Sequence, residues 1–378
     1  MRVMMIGPYP RSVNRIDGGV AAAVTYLSQA LVALGGVDLV GVRVARDGQS
    51  SEVDGRFDWP ICDLSHGSLG LSSLFRRQRI ELQQLLRRYR PHIVHGQGVD
   101  VAGFLAVGCG VPAVVTVHGI LGEDAKFKTN VLSRIRAAAT GLLVERHSVR
   151  NAADLISISP YVTEYYGKQI SGRVHEIPNA ISPEYFAVRR AVERGRFLYA
   201  GRIIKRKGVL DLVRAVGRDS GGVTRLVLAG GCPDGPYLDQ VRREIDRHGL
   251  GDRVFFAGLL DEGAVLDEFS RAEALVLPSY QETAPMVIQQ AMAAGVPILA
   301  SRICGIPYQI EHKVTGMLFE AGDVSQLSDL IGQFAADPAL GPRLGHAAKE
   351  VAMTRYHAHN VAEATRRTYE SMLGRQGV

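Results

Sequence analysis

Short apolar runs alternate with longer amphipathic segments along this chain of 378 residues. Each run is short enough for one buried strand, and the longer segments repeat their apolar positions every three or four residues, as helices do. This alternation predicts an α/β protein with parallel sheets and helices on both faces. The predicted strands are residues 3–6, 37–44, 93–95, 113–117, 154–158, 174–177, 196–200, 224–229, 254–256, 274–277, 297–300 and 317–319.

The strand–helix rhythm occurs twice, in halves of similar size. A polar stretch at residues 183–196 lies between the two strand series and predicts a domain boundary there. Near the end of the chain, residues 361–373 form an amphipathic helical pattern, which could pack on either half. Its apolar face carries Val361, Thr365, Tyr369 and Met372.

Composition favours a soluble globular protein, with 46% hydrophobic and 22% charged residues. The net charge of +6 is compatible with an ordinary solvated surface, with anionic substrates or with an anionic membrane face. The four cysteines are far apart, which argues against a zinc site or a disulfide framework and favours a reducing, cytoplasmic compartment. Glycines and Pro112 interrupt the longest apolar stretch, residues 101–117, so we predict no membrane span there.

Two motifs in the first half follow predicted strands. Gly18 and Gly19 precede a helical pattern, where glycines allow close approach of a ligand and a helix N-terminus favours anionic oxygens. Their spacing is not G-x-G-x-x-G and does not predict a dinucleotide cofactor. His118 closes the strand at 113–117, and the carboxyl ends of strands point toward the ligand crevice of α/β sheets. A plain structural turn and a structural histidine are the alternatives.

The second half carries a basic turn after its first strand. Arg202 and Lys207 combine a planar donor fork with a point charge, which suits a diphosphate. A basic surface turn is the alternative. Gly231 and Gly258 follow the next two strands, where small residues leave room for a flat group such as a nucleobase or simply form tight turns.

Residues 278–300 hold the most informative segment. Glu282 lies in a loop after an apolar strand and can accept hydrogen bonds from sugar hydroxyls. Pro285 begins a predicted helix, 286–294, whose first amides at Met286 and Val287 can reach phosphate oxygens. Gln290 lies one turn into that helix and can hydrogen-bond vicinal hydroxyls without carrying a charge.

These motifs together resemble the large retaining glycosyltransferase family four, which has the GT-B fold. The resemblance rests on GGV at 18–20, TVHG at 116–119, IPN at 177–179, GR-x4-KG at 201–208, PS-x2-E-x2-P at 278–285 followed by A-x-G-x-P, GIP at 305–307 and TG-x-L-F at 315–319. It covers nearly the whole chain. It implies two Rossmann-like domains facing across a cleft, at residues 1–185 and 186–356, with a C-terminal helix at about 357–378 crossing back to the first domain.

The family also implies roles for the motif residues. Gly18 and Gly19 would lie by the donor diphosphate and the acceptor, and His118 beside the transferred sugar. Arg202 and Lys207 would bind the diphosphate and stabilise the leaving group, and Glu282 would bind sugar hydroxyls. The donor contacts would also include Gly231, Gly258, Pro285, Met286 and Val287. The family usually has a ribose-binding glutamate where this chain has Gln290, which suggests altered nucleotide recognition rather than an inactive enzyme.

The implied reaction is transfer of a hexosyl group from a nucleotide diphosphate sugar to a glycan hydroxyl, with anomeric retention. No Asp-x-Asp motif lies at a predicted strand end, so the sequence predicts a metal-independent enzyme with no cofactor beyond the donor substrate. No nucleic-acid recognition motif is present. Two basic segments of the first half, 74–90 and 126–150, predict either ordinary packed helices or docking on an anionic membrane. In the second case the acceptor would be a lipid-linked glycan of polysaccharide assembly and the enzyme would be peripheral at the inner face.

Three other functions fit parts of the pattern. They are a sugar-phosphate synthase, a nucleotide-sugar epimerase and a non-catalytic GT-B partner subunit. An epimerase requires acids and histidines poised for proton abstraction, and the sequence assigns no such set. The presence of His118, Arg202, Lys207 and Glu282 argues against a non-catalytic subunit.

Overall fold

The computed structural model of the protein describes residues 1–11, 16, 18–44, 57–65, 75–127, 131–219 and 222–375. The side chains of residues 131–133, 136, 137, 142 and 335 lie outside the described part. The chain divides into two compact units. Unit 1 comprises Met1–Ala180 and Ala358–Val378, and unit 2 comprises Ile181–His357.

In unit 1 the described strands form a seven-stranded parallel sheet in the order β3-β2-β1-β4-β5-β6-β7. They are β1 (Arg2–Ile6), β2 (Asp38–Val44), β3 (Ile61–Leu64), β4 (Ile93–Gln97), β5 (Ala113–Val117), β6 (Asp154–Ser157) and β7 (Arg173–Glu176). The helices are α1 (Gly19–Leu34), α2 (Arg76–Tyr89), α3 (Val101–Val107), α4 (Leu121–Ala125), α5 (Val131–Thr140), a π-helical turn (Gly141–Glu145), α6 (Arg146–Asn151), α7 (Pro160–Tyr166) and a 3₁₀ turn (Gly167–Gln169).

In unit 2 the described strands form a six-stranded parallel sheet in the order β10-β9-β8-β11-β12-β13. They are β8 (Arg196–Ala200), β9 (Arg225–Ala229), β10 (Val254–Gly258), β11 (Ala274–Leu277), β12 (Ile298–Ser301) and β13 (Met317–Phe319). The helices are α8 (Pro183–Phe186), a 3₁₀ turn (Lys205–Lys207), α9 (Val209–Gly217), α10 (Gly235–Arg247), α11 (Glu262–Arg271), α12 (Met286–Ala293), a 3₁₀ turn (Ile306–Tyr308), α13 (Val324–Ala336) and α14 (Leu340–Arg355).

The predicted α/β class with two Rossmann-like units is confirmed. Strands β11 and β12 are buried along their whole length, which is expected where helices cover both faces of a parallel sheet. In each sheet the first strand of the unit lies inside the sheet, with strands added on both sides. The loops that leave the carboxyl ends of strands on either side of such a switch point diverge and leave a crevice between them.

Strand β3 was absent from the sequence prediction. It is a four-residue strand at the edge of the unit 1 sheet, and only Leu64 is fully buried in it. Asp63 forms a two-pronged ion pair with the buried Arg43 on β2, at 2.7 and 2.9 Å. Asp63 interrupts the apolar residues of this short edge strand, so the hydrophobic pattern is too weak to predict it.

The C-terminal helix, α15 (Ala358–Gly374), belongs to unit 1 and packs on α1. The sequence left its partner open, because an apolar stripe does not identify the surface that covers it. Its predicted apolar face is buried, with Val361, Thr365, Tyr369 and Met372 each at most 3% exposed. After the helix, Arg375 pairs with the buried Asp154 on β6 at 2.6 Å, which anchors the chain end to the sheet.

A hydrogen bond between α15 and the sheet should contribute measurably to the stability of unit 1. The hydroxyl of Tyr369 lies 2.6 Å from Nδ1 of the buried His95 on β4. We expect Tyr369→Phe to lower the free energy of unfolding by about 1–3 kcal/mol, because a buried nitrogen loses its partner. Fluorescence of Trp59, the single tryptophan, reports urea unfolding of unit 1.

The matched control is Tyr356→Phe in unit 2. It removes a buried hydroxyl that has no hydrogen-bond partner among the described residues, so stability should stay unchanged or rise. Circular dichroism follows both variants. Equal stability losses would contradict the assigned role of the Tyr369 hydroxyl.

Candidate active site

The loops after β8 and β11 leave the unit 2 sheet side by side. These strands are neighbours, and the chain passes from β8 outward to β9 and β10 before it returns to β11. This is the switch point of the sheet, where open α/β folds bind ligands. The predicted basic turn follows β8 and the predicted acidic loop follows β11, so the topology brings these two motifs together.

Close backbone packing fixes the two loops against each other. Gly208 has φ of 67°, and a Cβ atom there would lie 2.0 Å from the carbonyl oxygen of Pro278. Only glycine tolerates both the left-handed backbone and this approach. The backbone N–H of Tyr280 also donates to the carbonyl of Arg206 at 2.8 Å. The basic turn and the acidic loop are therefore one structural element.

An ion pair joins the two loops. Glu282 is 6% exposed and accepts hydrogen bonds from the ammonium group of Lys207 and from Ser279 Oγ, the latter at 2.7 Å. The guanidinium of Arg206 lies 4.0 Å from the second carboxylate oxygen. Burial by itself raises the pKa of Glu282, but the charges of Lys207 and Arg206 and the hydrogen bonds to Lys207 and Ser279 outweigh it and lower the pKa. Glu282 is therefore a carboxylate at neutral pH, held by Lys207.

Arg202 differs from Lys207 in being exposed, and no described carboxylate pairs with it. Its backbone is held in place, because Tyr199 donates a hydrogen bond from its hydroxyl to the Arg202 carbonyl at 2.7 Å. The guanidinium is therefore available to a ligand while its attachment point is fixed.

The loops after β8, β9 and β10 form a continuous glycine-lined rim. A Cβ atom at Gly230 would lie 2.0 Å from the carbonyl oxygen of Gly201, and Ile203 donates its N–H to Gly231 at 2.9 Å. Gly230 in turn donates to the carbonyl of Gly258 at 2.7 Å. Gly231 thus lies in the loop after β9, next to Gly258 at the carboxyl end of β10, and a Cβ atom at either would meet nothing within 4 Å.

Helix α12 begins where the acidic loop ends. Pro285 is its N-cap and no side chain caps it, so the amides of Met286 and Val287 in the first turn are offered to a ligand. Gln290 is partly exposed and donates from its amide nitrogen to the hydroxyl of Tyr185 at 2.9 Å.

In unit 1, His118 follows β5 at the carboxyl edge of the sheet. Its Nε2 lies 2.7 Å from Oε1 of Gln97, at the end of the adjacent strand β4. Burial lowers the pKa of His118 to about 4, although a hydrogen bond with the Asn179 side chain acts in the opposite direction. His118 is therefore a neutral imidazole at pH 7. It shares a small pocket with Gln97, Thr116 and Asn179.

Sequence reasoning missed Gln97 and Asn179 as parts of this site. The sequence held a signal for each of them. Gln97 is a polar residue at the end of a buried strand, as His118 is at the end of β5, and Asn179 belongs to the IPN motif at residues 177–179.

Gly18 and Gly19 lie at the start of α1. Gly18 is the N-cap with φ of 98°, no side chain caps the helix, and a Cβ atom there would meet nothing within 4 Å. Farther along the same helix, Ala23 and Leu27 line the pocket that contains His118. Across the described ranges, no group of three or more His, Cys, Asp or Glu side chains has metal-binding geometry.

The Lys207–Glu282 pair should contribute to the stability of unit 2. Glu282→Gln leaves a largely buried ammonium group without its counterion, which typically costs about 3–5 kcal/mol. The double variant Lys207→Met with Glu282→Leu should recover much of that loss. Thermal and urea unfolding followed by circular dichroism measure both.

The control pair is Arg77–Glu81 on α2, which is exposed at the arginine and spans one helical turn. Arg77→Gln should cost no more than about 0.5 kcal/mol. If the double variant is as unstable as Glu282→Gln, the unpaired ammonium group of Lys207 is not the cause of the lost stability.

Comparison with known proteins places these features in a family. Residues 17–185 match the family model Glycosyltransferase Family 4, and residues 183–351 match Glycosyl transferases group 1. The glycogen synthase of Mycobacterium tuberculosis is 29% identical over 81% of this chain and 76% of its own length.

Solved structures share the fold. Sucrose-phosphate synthase of Thermosynechococcus elongatus superposes with a TM-score of 0.85 at 22% identity, covering 99% of each chain. HepE of Anabaena, solved in complex with UDP-glucose, has a TM-score of 0.74 at 17% identity, covering 98% of this chain and 100% of its own. Because the two family matches together extend over residues 17–351, the chain belongs to the family-four, group 1 glycosyltransferases of GT-B fold.

Proposed function

We propose that this glycosyltransferase moves a hexosyl group from a nucleoside diphosphate sugar to a hydroxyl of a glycan, with retention of anomeric configuration and without a metal ion. One observation carries the proposal. At the switch point of unit 2, the exposed Arg202 and the uncapped first turn of α12 follow neighbouring strands. This arrangement offers positive charge and free amides to a diphosphate.

Stabilising the departing nucleoside diphosphate is the main electrostatic task of such a transfer. Arg202 supplies a donor fork for phosphate oxygens. Lys207 has three N–H donors and gives one to Glu282, so two remain for the diphosphate. Glu282 thus orients the lysine and keeps its second oxygen for a sugar hydroxyl. With two cations and a helix N-terminus at the leaving group, the proposed reaction needs no metal ion.

The glycine rim supports binding of the nucleoside part. Gly231 and Gly258 leave open space beside the loops after β9 and β10, which suits a flat base. Gln290 is proposed to hydrogen-bond the ribose hydroxyls through its amide. The complex of HepE with UDP-glucose makes a uridine nucleotide the first donor to test.

Unit 1 is proposed to receive the acceptor. His118 is neutral at pH 7, so it contributes a hydrogen bond to a sugar hydroxyl rather than a positive charge. Gly18 and Gly19 present the uncapped start of α1 to anionic oxygens. We assign no side chain as a covalent nucleophile. We therefore propose a front-face displacement in which the departing phosphate accepts the proton of the acceptor hydroxyl.

A basic surface on unit 1 supports a lipid-linked acceptor. The apolar stripe of α2 is not available to lipid, because Leu82 and Leu86 are buried and the helix packs on α3 and β3. Its exposed side carries Ile80 among arginines. We define the basic surface by its exposed arginines, which are Arg76, Arg77 and Arg79 on α2 and Arg146 and Arg150 on α6.

Ring contacts connect α2 to α6 through α3. Phe104 on α3 lies between Phe75, which precedes α2, and His147 on α6, with ring centroids 5.3 and 4.8 Å apart. The exposed Ile135 and Leu143 lie in the segment before α6. Leu74 and the side chains of Val131, Leu132 and Leu142, which the membrane hypothesis also used, lie outside the described residues. No helix in the described ranges is long and apolar enough to cross a membrane. From the exposed arginines of the basic surface, we propose peripheral, electrostatic docking at the inner face.

A sugar-phosphate acceptor is the second candidate function. The likeness to sucrose-phosphate synthase, at a TM-score of 0.85, favours testing it. The two candidates differ in the acceptor that yields product with the same donor. Product analysis by NMR identifies which acceptor has been glycosylated. The same spectra compare the anomeric configuration of the product with that of the donor, and an inverted configuration would contradict retention.

Arg202 should determine diphosphate affinity. We expect Arg202→Gln to weaken UDP binding about ten- to hundredfold, because a hydrogen bond to a charged group contributes roughly 1.5–3 kcal/mol. Isothermal titration calorimetry measures the change. The matched control is Arg218→Gln, an exposed arginine at the end of α9, which should bind as the unaltered chain does. Equal affinities in all three proteins would contradict the role of Arg202, and no binding of any nucleoside diphosphate would contradict the proposed function.

The basic surface should bind anionic membranes. At low salt the chain should sediment with vesicles that contain phosphatidylglycerol and remain free of phosphatidylcholine vesicles. Arg76→Gln combined with Arg79→Gln should lower the partition coefficient about thirtyfold, since each surface cation contributes about 1 kcal/mol. The control is Arg242→Gln with Arg243→Gln, two exposed arginines on α10 of unit 2. If both double variants bind alike, the surface is not the docking site.

A further inference from the structure

One stripe of α12 is open to a ligand. The structure describes every residue of this helix, and only Val287 and Gln290 among them are not buried. Residues three positions apart lie on the same side of a helix, so these two form a single stripe. The stripe begins at the uncapped first turn, and Gln290 lies about 4.5 Å farther along the axis than Val287. A ligand bound at the start of α12 therefore meets the Gln290 side chain next.

A buried tyrosine holds the amide of Gln290. Nε2 of Gln290 donates to the hydroxyl of Tyr185 at 2.9 Å, and Tyr185 is 2% exposed. Among the described residues, no group donates a hydrogen bond to Oε1 of Gln290. Because the nitrogen and the oxygen diverge from one amide carbon, an amide that gives its N–H to the protein interior turns its oxygen outward. The outward group of Gln290 is therefore an acceptor.

The Tyr185 hydroxyl is itself fixed by its surroundings. The ring packs edge-on against Phe269 of α11, with centroids 6.0 Å apart. Tyr185 belongs to α8, and Lys349 of α14 donates to the carbonyl of the next residue, Phe186, at 2.7 Å. Helix α12 packs on both α8 and α14. Because the hydroxyl is held in place, it restricts the rotamers of Gln290 before any ligand arrives, which lowers the entropy cost of binding.

We propose that Tyr185 is a positioning residue, which takes the N–H of Gln290 and so presents Gln290 Oε1 as an acceptor for a ribose hydroxyl of the donor nucleotide. A hydroxyl donates to an amide oxygen, whereas a hydrogen or fluorine atom in its place has no proton to give. The pair therefore distinguishes a ribonucleotide from a nucleotide that lacks this hydroxyl. The inference rests on the proposed function for the identity of the ligand, but the orientation of the Gln290 amide is a property of the protein alone.

Calorimetry with nucleotide analogues tests the ribose contact. UDP, the first nucleotide to test, is compared with 2′-deoxy-UDP and 3′-deoxy-UDP. At least one analogue should bind the unaltered chain about five- to tenfold more weakly than UDP. The fluoro analogue at the same position should bind as weakly as the deoxy analogue, because fluorine does not donate. If it binds as UDP does, the amide N–H faces the ribose and the proposal is overturned. Equal affinities for UDP and both deoxy analogues would overturn it as well.

Two variants separate positioning from packing. Tyr185→Phe keeps the ring against Phe269 and removes only the hydroxyl. It should reduce the preference for UDP over the weaker deoxy analogue to about twofold, whereas a purely structural effect would weaken all nucleotides alike. Gln290→Leu should abolish the preference, and Tyr185→Phe should then add no further change. An unchanged preference in Tyr185→Phe would show that Tyr185 does not position Gln290.

The matched control is Tyr356→Phe. It removes a buried hydroxyl of unit 2 that has no hydrogen-bond partner among the described residues. Its preference for UDP over the deoxy analogues should equal that of the unaltered chain. A loss as large as in Tyr185→Phe would overturn the assignment to the Tyr185 hydroxyl.

Proton NMR of the full chain without nucleotide tests the amide orientation directly. Gln290→Leu assigns the side-chain amide signals of Gln290. These protons should show nuclear Overhauser contacts to the ring protons of Tyr185, because the N–H group faces the phenol oxygen, and missing contacts would overturn the orientation. If no nucleoside diphosphate binds, the proposed function and the ribose contact are both contradicted, while this spectrum still decides the orientation. It also decides the orientation if Tyr185→Phe does not fold.

Discussion

The ion pair between Lys207 and Glu282 is the interaction on which the unit 2 site depends. It is largely buried, so each charge would be costly without the other. The pair closes two loops that are far apart in the chain, and Gly208 lets their backbones approach closely enough for it to form. A ligand that meets these loops therefore finds a lysine already oriented and a carboxylate already ionised, rather than two mobile side chains.

Unit 1 also holds polar side chains in fixed positions around His118, but by different interactions. There the important side chains are neutral, because burial lowers the pKa values of His95 and His118 to about 3 and 4. Hydrogen bonds rather than charges hold them, and Tyr369 brings the C-terminal helix into the network. Unit 2 thus concentrates charge, whereas the polar side chains of this network in unit 1 are neutral.

Much of the fold could be predicted because parallel sheets are buried on both faces. Their strands are uninterrupted apolar runs, and strands such as β11 and β12 are recognisable from composition alone. Strand β3 was missed because it is four residues long, Asp63 interrupts its apolar positions, and only Leu64 is fully buried. The stripe on α2 was correctly read as apolar, but the sequence could not say whether lipid or protein covers it. Leu82 and Leu86 are covered by the protein's own core.

The sequence by itself determined the two-unit α/β architecture, the family and the loops that carry candidate chemistry, since each depends on local patterns at strand ends. It also identified the face of α15 that is buried, though not the surface that buries it. Only the tertiary structure decided which side chains meet. It paired Lys207 with Glu282 and brought Gln97 and Asn179 to the imidazole of His118. These outcomes depend on distances between residues that are remote in the chain, and on burial that sets their protonation.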